Sequence, residues 1–292
     1  MDWSYIESAI SAAENIDFQV KHARSIGGGS INSAYLLEND AHRYFVKLNS
    51  TRYADMFSAE AEGLAEMHMP GVIKVPRPVC WDSHGSTTYI VLDYIEFGRA
   101  NANSAAMFGE QLAAMHKVSQ SQFGWYRDNT IGSTAQINTV SSNWLDFYRQ
   151  HRLQFQIKLA NEQGYNGELT SLGDKLCDSL ESFFKSYQPQ PSLLHGDLWS
   201  GNYDYDASGK PVIFDPAVYY GDREADIAMT ELFGGFSAAF YDAYNNAWPL
   251  DDGYAVRKTL YNLYHILNHL NLFGGGYYSQ AISMMRRLLS EI

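Results

Sequence analysis

Two carboxylates and a carboxamide stand at spacings suited to moving a phosphoryl group. The stretch His195-Gly196-Asp197-Leu198-Trp199-Ser200-Gly201-Asn202 sets Asp197 and Asn202 five residues apart, and Asp215 follows the short apolar strand Pro211-Val212-Ile213-Phe214. Such a transfer needs an acceptor for the proton of the attacking hydroxyl and oxygen ligands for the metal that bridges the phosphates. Asp197 suits the first role, Asn202 and Asp215 the second. Mg²⁺ takes oxygen donors and keeps several waters, so two protein ligands plus nucleotide suffice. A lone His-Gly-Asp or Phe-Asp-Pro would read as turn punctuation, because Gly, Asp and Pro mark turns freely. The order of the two, downstream of a lysine-bearing strand, is what carries the chemistry.

That strand is Arg43-Tyr44-Phe45-Val46-Lys47-Leu48, aromatic and β-branched as a strand should be. A lysine inside an apolar strand calls for a partner. Glu60 is preferred, on the helix read over 55–68 from Met56, Phe57, Leu64 and Met67; Glu62, two residues on and on another face, is the competitor. Gly27-Gly28-Gly29-Ser30-Ile31-Asn32 joins two strand-like runs. Its glycines let backbone N–H groups approach phosphates, giving Gly28, Gly29, Ser30 and Asn32 as candidate nucleotide contacts. Plain hairpin punctuation is an equal reading, since Asn32 replaces the third glycine of G-x-G-x-x-G and no Walker lysine follows. Val91-Leu92-Asp93-Tyr94-Ile95 ends the fifth strand, and position alone makes the backbone of Asp93, Tyr94 and Ile95 the candidate adenine contact.

The elements that must position these residues fall into two groups. Residues 1–15 read as a short helix; strands follow over 18–26, 33–37, 43–48, 75–81 and 87–95, with the 55–68 helix between the third and fourth. From residue 101 the pattern is helical, with runs near 103–118, 142–163, 168–187, 224–247, 253–270 and 277–290, interrupted chiefly by the polar segment that holds Asp197. The expected fold is therefore α+β and two-lobed, with a β-rich N-terminal nucleotide-binding lobe over 1–95 and a helical catalytic and substrate-binding lobe over 96–292. Folding has to bring Lys47 of the first to Asp215 of the second.

Composition narrows the classes. The chain has 292 residues, 46% hydrophobic and 18% charged, as a globular protein should. Its net charge of −12 disfavours nucleic acid as a partner. No apolar run approaches the ~20 residues that span a bilayer, and the acidic N-terminus does not read as a signal peptide. Cys80 and Cys177 lie far apart with no CxxC, which suggests free, buried thiols and a cytoplasmic location. His265 and His269 are four apart on a late helix, but no third ligand stands nearby, and packing is the expected role. His195 is read as fixing its loop. Asp226, in Arg223-Glu224-Ala225-Asp226, leaves two readings open: a helix-dipole acid or a buried brace for the catalytic loop. Trp199 likewise serves either the core or the substrate.

With these residues assembled, the chain resembles the fructosamine kinase (ketosamine-3-kinase) family, related to the aminoglycoside and choline phosphotransferases with a protein-kinase-like fold. The likeness runs along nearly the whole sequence, through Gly27 to Tyr35, Phe45-Val46-Lys47, Glu60, Gln136-Ile137-Asn138, Trp144 to Arg152, and Leu267-Asn268-His269. The Leu-Trp-Ser-Gly filling of the catalytic loop and Gly221-Asp222-Arg223-Glu224-Ala225-Asp226 narrow it to this family. The resemblance implies ATP and Mg²⁺ as cofactors and phosphorylation of the carbon-3 hydroxyl of a free or protein-borne ketosamine. Phosphate on carbon 3 is lost after enolisation toward carbon 1, so the sugar leaves as a deoxyosone and the amine is freed. Some relatives carry cysteine in the glycine loop; Ser30 here excludes a loop disulfide. A sister activity on choline, homoserine or an aminoglycoside is the competing expectation.

Overall fold

Strand periodicity decides how the front of the molecule is layered. In the computed structural model, which describes residues 2–27 and 31–292, five strands form one antiparallel sheet: β1 (His22–Ile26), β2 (Ser33–Glu38), β3 (Arg43–Ser50), β4 (Pro78–His84) and β5 (Thr87–Asp93), in the order β1-β2-β3-β5-β4. Alternate residues of β3 and β5 (Tyr44, Val46, Leu48, Tyr89, Val91) bury against Ile6 and Ile10 of helix α1 (Ser4–Glu14). The residues between them, Ile90 and Leu92, join the main core with Phe57, Leu64 and Met67 of α2 (Ala54–His68). The sheet is thus covered on both faces, and the period of two turns Lys47 away from α1 toward α2 and the cleft.

The rear is helical: α3 (Ser104–His116), α4 (Trp144–Tyr148), α5 (Phe155–Glu162), α6 (Glu168–Asp178), α7 (Glu224–Leu232), α8 (Ala238–Ala247), α9 (Tyr254–Phe273) and α10 (Tyr277–Leu289). Three two-stranded ribbons support the catalytic segment: β6 (Asn129–Ile131) with β7 (Thr134–Gln136), β8 (Ser192–Leu194) with β11 (Tyr219–Gly221), and β9 (Tyr203–Tyr205) with β10 (Pro211–Ile213). This is the two-lobed α+β arrangement of protein-kinase-like phosphotransferases.

Several boundaries differ from the sequence expectation for local reasons. The first strand begins at His22 rather than Phe18, because the N–H groups of Phe18 and Val20 are taken by Ser11 Oγ (3.0 Å) and Glu7 Oε1 (2.7 Å) of α1. The fourth strand begins at Pro78 rather than Val75, because Pro76 has no N–H for a ladder, whereas a proline is tolerated at a strand's first position, where Pro78 stands. The run 142–163 is one continuous helical rod with a π-helical turn at Arg149–Gln154 joining α4 to α5. The run 224–247 breaks at Gly234 and Gly235, whose φ values of 108° and 73° end α7. Cys177 is buried as expected, whereas Cys80 is only half-buried; both are free, and burial pushes each thiol up to about 12.

Candidate active site

Lys47 reaches two carboxylates at once. Its Nζ lies 2.6 Å from Glu60 Oε1 and 2.6 Å from Asp215 Oδ1, joining strand β3, helix α2 and the segment after β10. Burial pulls the ammonium pKa down, but the two acids outweigh it and hold it above the ordinary lysine value. Burial drives the Glu60 carboxyl upward, and Asp215's like charge adds to that against the pull of Lys47. Removing Lys47 would therefore leave a buried acid with no counter-charge.

Glu62 serves elsewhere. It binds Arg127 Nη1 at 2.6 Å, and the same guanidinium also meets Asp55 and Ser58, so a residue from the rear lobe grips three positions of α2. Tyr220 Oη donates to Glu66 on the same helix at 2.7 Å. These contacts hold α2 in the orientation that aims Glu60 at Lys47. Substituting Arg127 with alanine is expected to lower kcat/KM by about tenfold, the scale of a loosened positioning element. Steady-state kinetics checks it, with circular dichroism to confirm an intact fold.

The catalytic loop is fixed from beneath. Asp226 is buried and accepts the N–H of His195 (2.7 Å), the N–H of Gly196 (2.8 Å) and His116 Nε2 (3.1 Å). It is the buried brace of the two readings. Gly196 has φ 80°, and a Cβ there would fall 2.0 Å from the carbonyl oxygen of Ala217, so only glycine fits. The N–H of Asp197 donates to His195 Nδ1 (3.2 Å), which leaves His195 Nε2–H to donate to the carbonyl of Phe214 (2.9 Å). His195 thus ties the loop to the strand before Asp215, the structural role expected of it.

Asp215 sits at a corner. Its φ of 57° is left-handed, uncommon outside glycine, and the chain is pinned on both sides. Phe214 N–H donates to the carbonyl of Asn202 (3.0 Å), and Ala217 N–H to that of His195 (2.8 Å). Across the corner, Asn202 Nδ2 donates to the carbonyl of Asp197 (2.8 Å) and to its Oδ2 (3.1 Å). Burial, and then the like charge of Asp215, push the Asp197 carboxyl up to about 7 against that hydrogen bond. Asn202 Oδ1 and Asp215 Oδ2 have no protein partner among the described residues. Two free hard oxygens facing one cavity fit a hard divalent cation. Among the described residues no three His, Cys, Asp or Glu side chains gather into a metal cage.

A cavity of about 220 Å³ brings Asn32, Lys47, Glu60, Asp197, Asn202 and Asp215 together, with Trp199 on its rim. Asn32 is itself held by Asn49 Nδ2 at 2.6 Å. Gly28, Gly29 and Ser30 lie outside the described residues. Asp93, Tyr94 and Ile95 do not share this cavity; they line a larger cleft of about 940 Å³. There the Asp93 carboxylate is taken by the Arg77 guanidinium (both contacts 2.9 Å), and the Tyr94 ring lies under Arg43. The indole of Trp199 lies over Gly201, where a Cβ would come within 2.4 Å of the ring; that close approach accounts for the glycine in the loop.

Sequence reasoning gave no role to Arg127, Asn129 or Gln136. Asn129 lines the cavity, and Gln136 Nε2 donates to Asn129 Oδ1 (2.9 Å) and to the Ala217 carbonyl (3.0 Å), steadying the chain just after Asp215. The motif Gln136-Ile137-Asn138 was the available signal, but its function depends on a contact 81 residues away.

A family model for fructosamine kinase matches residues 2–291. The chain is 47% identical to a "probable ketoamine kinase" of Synechocystis, over 98% of this chain and 97% of that protein. It is 44% identical to the chloroplastic protein-ribulosamine 3-kinase of Arabidopsis thaliana, over 91% of this chain and 82% of that one. A crystal structure from Haemophilus somnus assigned to fructosamine-3-kinase superposes with a TM-score of 0.90 at 28% identity, covering 98% of this chain and 97% of the other. The choline kinase of Streptococcus pneumoniae, at 15% identity and TM-score 0.60 over 99% of both chains, shares the fold alone. With a lysine–glutamate–aspartate cluster facing a braced Asp–Asn loop, and with these likenesses along its whole length, the chain belongs to the fructosamine kinase family.

Proposed function

We propose that this protein is an ATP-dependent ketosamine kinase that phosphorylates the carbon-3 hydroxyl of fructosamines and ribulosamines. The observation that carries the reading is the meeting of Lys47 with Asp215 opposite Asp197 and Asn202 in one cavity. The acceptor class is supported by the names of the relatives, 47% and 44% identical.

In this reading residues 1–95 hold the nucleotide and 96–292 the chemistry and acceptor. The N–H of Ile95 has no acceptor among the described residues, whereas those of Asp93 and Tyr94 are bonded to the carbonyls of Arg77 and Arg43; this supports Ile95 as a backbone donor to adenine. Lys47, steadied by Glu60, neutralises the α and β phosphates. Asp197 orients the carbon-3 hydroxyl and takes its proton as the oxygen attacks the γ-phosphorus. Asn202 and Asp215 would hold Mg²⁺, which when bound offsets charge on the phosphates. Asn32, which lines the cavity, contacts the phosphates, and Trp199 contacts the sugar or its amine.

Phosphate on carbon 3 is β to the enolised carbon 1, so it departs, and hydrolysis then frees the amine from a deoxyosone. The purpose is removal of sugar from glycated amines. Use of ATP and two free thiols suit the cytoplasm. A panel of acceptors tests the reading, with ATP consumption followed for fructosamine and ribulosamine derivatives beside choline, homoserine and an aminoglycoside. Turnover should be highest on the ketosamines by about a hundredfold or more. Faster turnover of choline or an antibiotic would overturn it.

A further inference from the structure

Arg152 is wholly buried, yet among the described residues no carboxylate pairs with its guanidinium. It donates instead to neutral oxygens. Nη1 bonds the carbonyls of Ile137 (2.6 Å) and His151 (3.1 Å), and Nη2 bonds Asn138 Oδ1 (2.8 Å). Nε has no acceptor among the described residues, and the rings of Phe147 and Tyr219 lie 4.7 Å and 4.2 Å from Cζ. A buried charge without an acid costs stability that an apolar side chain of similar size would not, so packing does not account for an arginine here. The residue also stands in the π-helical turn Arg149–Gln154, a departure from the α-helix that recurs at functional sites.

The cation settles the direction of a run of carboxamides. Arginine only donates, so Asn138 offers it Oδ1 and turns Nδ2 to Asn129 Oδ1 (2.9 Å). Asn129 has then only Nδ2 left, and gives it to the carbonyl of Val218 (2.8 Å). Gln136 joins from the side: Nε2 donates to Asn129 Oδ1 (2.9 Å) and to the Ala217 carbonyl (3.0 Å), while Oε1 accepts the Tyr264 hydroxyl (2.8 Å). One end of the run can only donate and the other can only accept, which fixes every amide between them. It finishes on the carbonyls of Ala217 and Val218, just past Asp215. Tyr219, the next residue, lies against the same guanidinium.

We propose that Arg152 is a positioning residue for Asp215: through Asn138, Asn129 and Gln136 it fixes the Ala217–Val218 backbone and so holds the left-handed corner that presents Asp215 to the cavity. Arg152 does not line that cavity and acts only through these residues. The inference rests on the reading that Asn202 and Asp215 would hold Mg²⁺.

The test uses nucleotide and metal without any acceptor. Calorimetry gives the Kd of the non-hydrolysable analogue AMP-PNP, with and without Mg²⁺, for wild type, Arg152→Met and Arg152→Lys. Arg152→Met fills the same space and frees Asn138 to turn over. It should raise the Kd of Mg-AMP-PNP about tenfold or more, the scale seen when the groups that orient a metal ligand are lost, and leave that of AMP-PNP alone within about twofold. Arg152→Lys keeps the charge and a donor for Asn138, so it should recover part of the loss. A folded Arg152→Met protein that binds Mg-AMP-PNP as wild type does overturns the proposal. Equal losses with and without Mg²⁺ also overturn it, since they would make Arg152 a prop for the whole site. Should Arg152→Met fail to fold, Gln136→Met breaks the run at its far end and is read by the same pair of constants. A wild-type protein whose AMP-PNP binding is not tightened by Mg²⁺ would instead refute the metal site on which the inference rests.

Discussion

Asp197→Ala is expected to bind Mg-ATP with near wild-type affinity and to transfer phosphate at about a thousandth of the wild-type rate or less. The geometry separates the two functions. Lys47, Glu60 and Asp215 form the nucleotide-facing cluster without help from Asp197, which contacts Asn202 instead. Removing the Asp197 carboxylate therefore leaves the Lys47–Glu60–Asp215 charges in place and takes away the group proposed to receive the hydroxyl proton. Asn202 keeps its bond to the Asp197 carbonyl, so the loop should hold its shape. Calorimetry gives the nucleotide affinity, and single-turnover phosphorylation of a ketosamine gives the rate. A variant within about tenfold of wild type in rate would show that another group handles the proton.

Asp226→Ala is expected to destabilise the fold by about 3–5 kcal/mol and to abolish measurable turnover. The carboxylate satisfies three buried donors, from His195, Gly196 and His116, and an unsatisfied buried donor costs about 1–3 kcal/mol. Neither backbone N–H can turn to another partner, because Gly196 is wedged against Ala217. Burial pushes the Asp226 carboxyl upward, but the bonds from His116 and the loop hold it below the ordinary aspartate value. A carboxyl depressed in the folded state stabilises above its unfolded pKa of about 4 and loses that contribution as pH falls through the folded value. The stability difference between variant and wild type should therefore be full at neutral pH and shrink only in strong acid. Urea unfolding at pH 7 and in acid measures this; a variant as stable as wild type at pH 7 would remove Asp226 as the brace.

Much of the site could be read along the chain because its spacings are local. Asp197 and Asn202 share one loop, and their contact needs only five residues of backbone. Lys47 belongs to a strand whose alternation shows which face it takes, and Glu60 follows thirteen residues later on a helix that packs against the same sheet through Ile90 and Leu92. The choice of Glu60 over Glu62 rests on helix geometry, and the structure adds the reason the other acid is free to differ: Arg127 claims it. The run 224–247 was less legible. Its hydrophobic pattern stays helical across the break, while the turn at Gly234 and Gly235 depends on two backbone conformations that apolar periodicity does not report.

What chain order alone settles here is chemical type: a loop able to take a proton and bind a metal, a buried cation on a strand, and a sheet followed by helices. What packing settles is contact. Lys47 and Asp215 are 168 residues apart, and their meeting depends on rear-lobe groups gripping α2 and on a left-handed corner held from both sides. Such pairings follow from how buried surfaces fill space and satisfy their polar groups, and no spacing between neighbouring residues encodes them.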